Sequence, residues 1–300
     1  MSNVDETRTP GIDESHERVS YRSRQQFWDL IESPYVVHAV LAFAMMTVLV
    51  PFGWELITSF KANSAIYNLN YLPANPTLQT YYNVLIGEGY WKAILNSLLI
   101  STSTTVIVLA LATPAGYAFS RFRFRFDNLL FIGVIFSRLF PPIGLVVPYY
   151  QIMARVGLLD DLLGVTIAQV YLWLPLMIYI MRNFFISIPE ELDESARVDG
   201  CTRLQAFRKV ALPLARPGIA ACGILTFLYS WREFLFSLIV TSTLDAMPIS
   251  VAVFKFVGDV SVSWASMAAA SILAIIPTVF IVVFFQRYIV TGLTSGALKG

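Results

Sequence analysis

Charge is scarce in this chain. Asp, Glu, Lys and Arg make up 14% of the 300 residues, against about 25% in soluble domains. The formal net charge is only +1, which excludes the basic face that a nucleic-acid partner would need. Cysteine is nearly absent: Cys201 lies in a charged stretch and Cys222 in an apolar one, so there is no disulfide framework. No Walker A pattern, no His-Glu-x-x-His and no Cys/His cluster occurs, and His16 and His38 stand alone. The sequence therefore offers no motif for holding and hydrolysing ATP, no metal-ligand set and no catalytic constellation. The N-terminal region also lacks an apolar core followed by a small-residue cleavage site. Residues 1–33 thus read as an uncleaved polar tail, with Phe27, Trp28 and Leu30 forming a short interfacial helix at its end.

Apolar residues, by contrast, make up 56% of the chain. They gather into six segments: about 35–60 (interrupted by Pro51), 93–120, 128–153, 162–181, 217–243 and 260–286. Each reaches the roughly 20 residues that a helix needs to cross the hydrocarbon core. The expected fold is an all-α polytopic membrane protein with six transmembrane helices over residues 34–300. Ala265, Ala268, Ala269 and Ser271 predict close helix packing in the last span. Orientation follows from the basic residues. With the N-terminus inside, 15 of the 21 Lys and Arg residues fall on the cytoplasmic side, four fall outside and two lie within spans. This is the asymmetry of the positive-inside rule.

The longest charged segment inside the apolar region is residues 187–216. Ser187 with Glu190 and Thr202 with Gln205 both have the spacing of a capping box, in which each partner satisfies the other's backbone N–H. Gly200 between them suits a left-handed helix end. Leu204, Phe207 and Ala211 then share one face of the second helix. The segment reads as helix, sharp turn, helix, on the cytoplasmic side between two spans. Pro213 and Pro217 close it.

Away from the span ends, the ionised residues are Arg138 in FSRLFPPIGLVVP, and Arg232 and Glu233 in YSWREFLF. A charge at the bilayer centre costs about 2.5–3.5 kcal/mol on insertion scales, so such groups face a cavity or one another. Arg232 and Glu233 are sequence neighbours and point apart, which makes Arg138 a candidate partner for Glu233. Trp231, Tyr229 and Trp173 are aromatics of the kind that stack on sugar rings and also pack bundles.

Glu194-Ser195-Ala196, Gly200 and Val210-Ala211-Leu212-Pro213 carry a resemblance. Their spacing resembles the EAA loop, EAA-x3-G-x9-I-x-L-P, of binding-protein-dependent ABC importer permeases, with Ser195 in place of alanine and Val210 in place of isoleucine. Further stretches are similar to carbohydrate importer permeases of the maltose-system type, specifically the shorter six-span partner. They are LFPPIGLVVPYYQIMARVGLLDDLLGVTI, SWREFLFSLIVT and QRYIVTGLTSGALKG. The likeness covers residues 40–300, with the transport module at about 91–287. The family usually has Asn where this chain has Arg232.

The resemblance implies a type I ABC importer permease in a prokaryotic plasma (inner) membrane. Its partners would be a second homologous permease, an ABC ATPase dimer, an extracytoplasmic solute-binding protein and membrane lipid. ATP and Mg would sit on the ATPase, with no cofactor on this chain. Glu194, Ser195, Ala196, Asp199, Gly200, Leu212 and Pro213 would couple to the ATPase. Arg138, Trp231, Arg232 and Glu233 would border the translocation pathway. The outer loops 61–90 and 244–259 would receive the binding protein, and Gly292 to Gly300 would reach toward the ATPase dimer.

The competing class is an ion-gradient-driven secondary carrier, which needs titratable carboxylates along its spans. Only Glu55 and Glu233 qualify, and Glu55 lies near a span end. Topology is directly testable. With both termini cytoplasmic, a reporter fused after Gly300 is expected to be active only if it functions in the cytoplasm; activity confined to the outside overturns the six-span topology.

Overall fold

The computed structural model describes residues 33–66, 70–257 and 262–294, without the side chains of residues 65 and 287–294. The polar tail 1–32, its interfacial helix and the C-terminal residues 295–300 lie outside the described residues. The chain divides into two units, residues 1–55 and 56–300. The first contains most of helix α1, Pro34–Ser59. Its sequence predicts an interruption at Pro51. Pro51 instead lies inside a continuous helix, which loses one backbone hydrogen bond there without breaking.

The second unit is also helical; among the described residues its β-structure is one isolated bridge, Val257 to Val262. Its elements are the short helix α2, Gln79–Tyr82, then α3, Tyr90–Arg121, α4, Asp127–Phe136, and α5, Pro142–Val156. They continue with α6, Leu162–Ser187, α7, Glu191–Val198, α8, Arg203–Ala206, and α9, Leu212–Leu214. The last are α10, Arg216–Trp231, α11, Leu235–Val240, α12, Ile249–Ala252, and α13, Trp264–Thr294. Four described helices are long and apolar enough to cross a membrane, or up to six spans if each of two bent pairs is counted as one. The protein is an all-α polytopic membrane protein.

Two of the six apolar segments are not single helices. Segment 128–153 is broken at Phe140–Pro141, and its halves meet at 95°. Phe140 is extended, with ψ 124°, as the residue before a proline prefers. Pro142 then opens α5, where a missing N–H costs nothing. Segment 217–243 is likewise split into α10 and α11, without any proline at the break. The second 72° bend lies elsewhere, between residues 203–214 and α10.

The core is built on α3. Its buried residues Ala93, Ser97, Ile100, Thr104, Val108, Ala112 and Gly116 recur every three or four positions and are mostly small. That stripe lets α6 approach closely, and α10 packs beside both. Ala265, Ala268, Ala269 and Ala270 of α13 are buried as well, while Ser271 is half-buried. One end of the bundle is tied by Asp160, whose carboxylate accepts from Ser242 N (2.8 Å), Thr243 N (2.9 Å) and Thr243 Oγ1 (2.7 Å). Partial burial alone would raise the Asp160 pKa, but the hydrogen bonds from Thr243 and Ser242 outweigh it and the net shift is downward. Its contribution is therefore present above the ordinary aspartate pKa and is lost as pH falls through the lowered value.

Gly116 marks the closest approach of α3 and α6. A Cβ there would lie 2.7 Å from Met181 Cβ and 2.8 Å from the backbone N of Arg182. Backbone cannot swing aside as a side chain can, so Gly116→Ala is expected to cost about 1–3 kcal/mol. Gly133→Ala, where a Cβ meets nothing within 4 Å, serves as the control. A thermal unfolding midpoint in detergent that falls equally for both, or for neither, contradicts the assigned contact.

Candidate functional site

The segment joining α6 to α10 folds as helix, turn, helix. Its first capping box does not form. Ser187 is the last residue of α6, and its hydroxyl donates to Phe184 O (2.7 Å). Helix α7 starts four residues later, at Glu191 after Pro189, with no side-chain cap. Its N-terminus is served electrostatically instead, by Glu191, Asp193 and Glu194 in the first turn, with Arg197 in the last. Ser195, in the alanine position, returns its hydroxyl to Glu191 O (2.7 Å), so it adds no unsatisfied group.

The turn is as expected. Cys201 N donates to Ala196 O (3.0 Å) and Gly200 N to Arg197 O (3.1 Å), the paired bonds of a Schellman helix end. Gly200 has φ +89°, and a Cβ on it would meet open space. The second capping box is complete: Thr202 N donates to Gln205 Oε1 (2.8 Å) and Gln205 N to Thr202 Oγ1 (3.3 Å). Beyond it the expected face shifts. Residues Phe207–Ala211 make a π-helical turn, which places Ala206 and Ala211 five residues apart and both buried, while Leu204 is 57% exposed.

Glu194, Ser195, Asp199 and Gly200 are exposed at the tip, and Ala196, Leu212 and Pro213 are half-buried toward the bundle. Val198 is 86% exposed. The anchor is a pair that the sequence does not reveal. Arg121, the last residue of α3, donates from Nε to Asp193 Oδ2 (2.7 Å) and from Nη2 to Ile188 O (2.8 Å). The two side chains are 6% and 9% exposed. Tyr117 packs on Phe207 at 4.7 Å, and Arg203 lies over the Phe122 ring. Nothing in the sequence distinguishes Asp193 from its acidic neighbours, or Arg121 from the other basic residues after α3.

The intramembrane charges converge elsewhere. A cavity of about 380 Å³ is lined by Arg138, Trp173, Tyr229, Arg232 and Glu233, with apolar walls that include Leu145 and Phe234. It lies where α4 gives way to α5 and α10 to α11, beside α6. Trp173 and Tyr229 stack at 4.7 Å. The Arg138 guanidinium lies 5.8 Å over the Trp173 ring, and that of Arg232 lies 4.9 Å over Tyr229.

Glu233 does not pair with Arg138. Its Oε1 accepts from Phe236 N (2.8 Å), and its Oε2 accepts from Ser237 N (3.2 Å) and Ser237 Oγ (2.7 Å). The carboxylate thus satisfies the first free N–H groups of α11. This explains how the segment breaks without a proline. Trp231 is not among the lining residues either. It is 5% exposed, stacks on Phe227 and donates to Ala274 O of α13 (3.1 Å). Arg138, Arg232 and Glu233 therefore share one cavity, and Trp231 belongs to the packing beside it.

A bent-helix membrane bundle that projects an anchored helix-turn-helix defines the permease class of binding-protein-dependent transporters. Residues 109–295 match the binding-protein-dependent transport system inner membrane component family. The chain belongs to that family and is the permease subunit of an ABC importer. It is 36% identical to the trehalose transport system permease protein SugB of Mycobacterium tuberculosis, over 92% of this chain and 98% of that one. It is 32% identical to the sulfoquinovosyl glycerol transport system permease protein SmoH of Agrobacterium fabrum, over 84% and 89%. A chain of the crystal structure of a bacterial ABC transporter that imports the acidic polysaccharide alginate shares its fold. There the TM-score is 0.75 at 23% identity, covering 93% of this chain and 99% of that chain.

The Arg121–Asp193 pair yields a prediction. Removing one partner of a buried ion pair costs about 3–5 kcal/mol, because the other charge stays buried and unpaired. Asp193→Asn is expected to loosen residues 188–200 while the bundle holds, seen as faster amide exchange in that stretch and unchanged exchange in α3 and α6. Exchange as slow as in the wild type would show that the pair does not hold the loop.

Proposed function

We propose that this permease passes a carbohydrate, or a related polar solute, that an extracytoplasmic binding protein delivers. It works beside a second homologous permease, and two ATPase subunits power the pair. ATP and Mg reside on the ATPase and no cofactor on this chain. Both termini are cytoplasmic, in a prokaryotic inner membrane. The names of its relatives support the solute class: one serves trehalose transport and another sulfoquinovosyl glycerol transport. The outer loops are the docking surface for the binding protein, and Gly292 to Gly300 reach toward the ATPase dimer.

One observation carries the coupling role: an exposed helix-turn-helix fixed at its base to the end of α3 through Arg121 and Asp193. A segment that transmits force must be accessible at one end and rigidly held at the other. Here Glu194, Ser195, Asp199, Gly200 and the apolar Val198 face outward. ATP closes the ATPase dimer, and the loop carries that displacement into α3 and α6. ATP drives the change only through its different affinity for the two arrangements. Arg138, Arg232 and Glu233 border the solute route in the cavity that the two helix breaks open. Trp231 acts behind it, holding α10 to α13.

Gly200 tests the coupling role. A side chain there costs about 1–2 kcal/mol for the positive φ and projects into space that a docked subunit would fill. Gly200→Asp is expected to abolish co-purification of the ATPase at normal permease abundance, and Gly200→Ala to weaken it less. Full ATPase retention and full ATP-driven uptake by Gly200→Asp would refute the coupling role.

A further inference from the structure

We propose that the cavity between the two helix breaks selects a solute that carries an acidic group, a carboxylate, sulfonate or phosphate, on a polar body of sugar size. This rests on the proposal that the cavity lies on the solute route, and it adds the charge of the solute. Two guanidiniums, Arg138 and Arg232, lie over the rings of the Trp173–Tyr229 stack. A guanidinium over a ring face is attracted by the ring quadrupole, and its N–H donors can bind an anion in a bidentate fashion. Neither arginine forms an ion pair among the described residues, and the carboxylate in the wall, Glu233, is committed to Phe236 and Ser237. The lining thus offers strong donors and holds back its strong acceptor.

A neutral sugar hydroxyl both donates and accepts, and is best held by a mixed set. An anionic oxygen only accepts, and it matches two free guanidinium edges. Bilayer depth adds a further reason. Two cations against one carboxylate leave the lining with one positive charge in excess, which is costly there unless a water-filled route or an anion meets it. The volume of about 380 Å³ lies near the small end of the roughly 300–1,000 Å³ of ligand pockets, which suits one ring and its substituent.

The test uses the assembled permease–ATPase core in lipid nanodiscs, titrated by calorimetry with glucuronate and with glucose, which share a ring and differ in the carboxylate. Glucuronate is expected to bind about tenfold more tightly, a difference of about 1.4 kcal/mol. Arg138→Asn and Arg232→Asn should each erase that preference, read as the ratio of the glucuronate and glucose affinities within the same variant. Equal affinities, no glucuronate binding, or a preference undiminished in either variant overturns the proposal.

A second measurement separates this claim from the route itself. Leu145→Cys, in a Cys201→Ser background, is labelled with a membrane-impermeant methanethiosulfonate reagent in nucleotide-free and ATP-bound cores. A change in labelling rate of about tenfold, the span of a 1.4 kcal/mol shift in accessibility, supports the route whatever the titration gives. An unchanged rate removes the cavity from the route, and the selectivity proposal falls with it.

Discussion

Glu233 gives both carboxylate oxygens to the opening turn of α11, and the solvent around the bundle explains why it must. In hydrocarbon no water satisfies a freed N–H or C=O, so a helix can break only where another group takes over. Each break in this protein has its own solution. At Phe140–Pro141–Pro142 the prolines remove the donors that would have been orphaned. At Arg232–Phe234 a carboxylate caps them. At the base of the loop, where α6 ends, Arg121 takes the carbonyl of Ile188. The cavity and the loop arise at these breaks, because breaks are where side chains can leave the bundle face.

The same helices join the two regions. α3 carries the small-residue stripe against which α6 packs, and its last residue holds α7 through Asp193. α10 leaves the loop at one end and reaches the cavity at the other. The loop is thus joined to helices whose far portions wall the cavity or pack beside it. Close-packed interiors yield by switching between discrete arrangements rather than by bending smoothly.

The six apolar segments, the Gly200 turn, the Thr202–Gln205 cap and the family were legible from the sequence. Each rests on local chemistry: run length, a conformation that only glycine takes freely, a side chain three residues from its target, and a spaced motif. The Ser187 cap was misread because the α6 pattern continues through Ser187, where its hydroxyl is already used within that helix. The Leu204 face was misread because a π-helical turn of five residues changes the period, and no residue in FRKVA announces it.

Composition and periodicity determined that this chain is a helical membrane protein with an amphipathic loop. Burial in lipid is set by the length and polarity of a segment, and those are properties of the sequence itself. Partner choice was left to the tertiary structure. Glu233 had Arg138 as a plausible partner, but the break in its own segment brought backbone N–H groups closer. Asp193, one acid among several, became the buried one because the end of α3 lies beneath it. Trp231 and Tyr229 are two residues apart on one helix, yet one anchors α13 and the other stacks in the cavity. Such pairings depend on which helices meet and at what angle, and no local pattern encodes that.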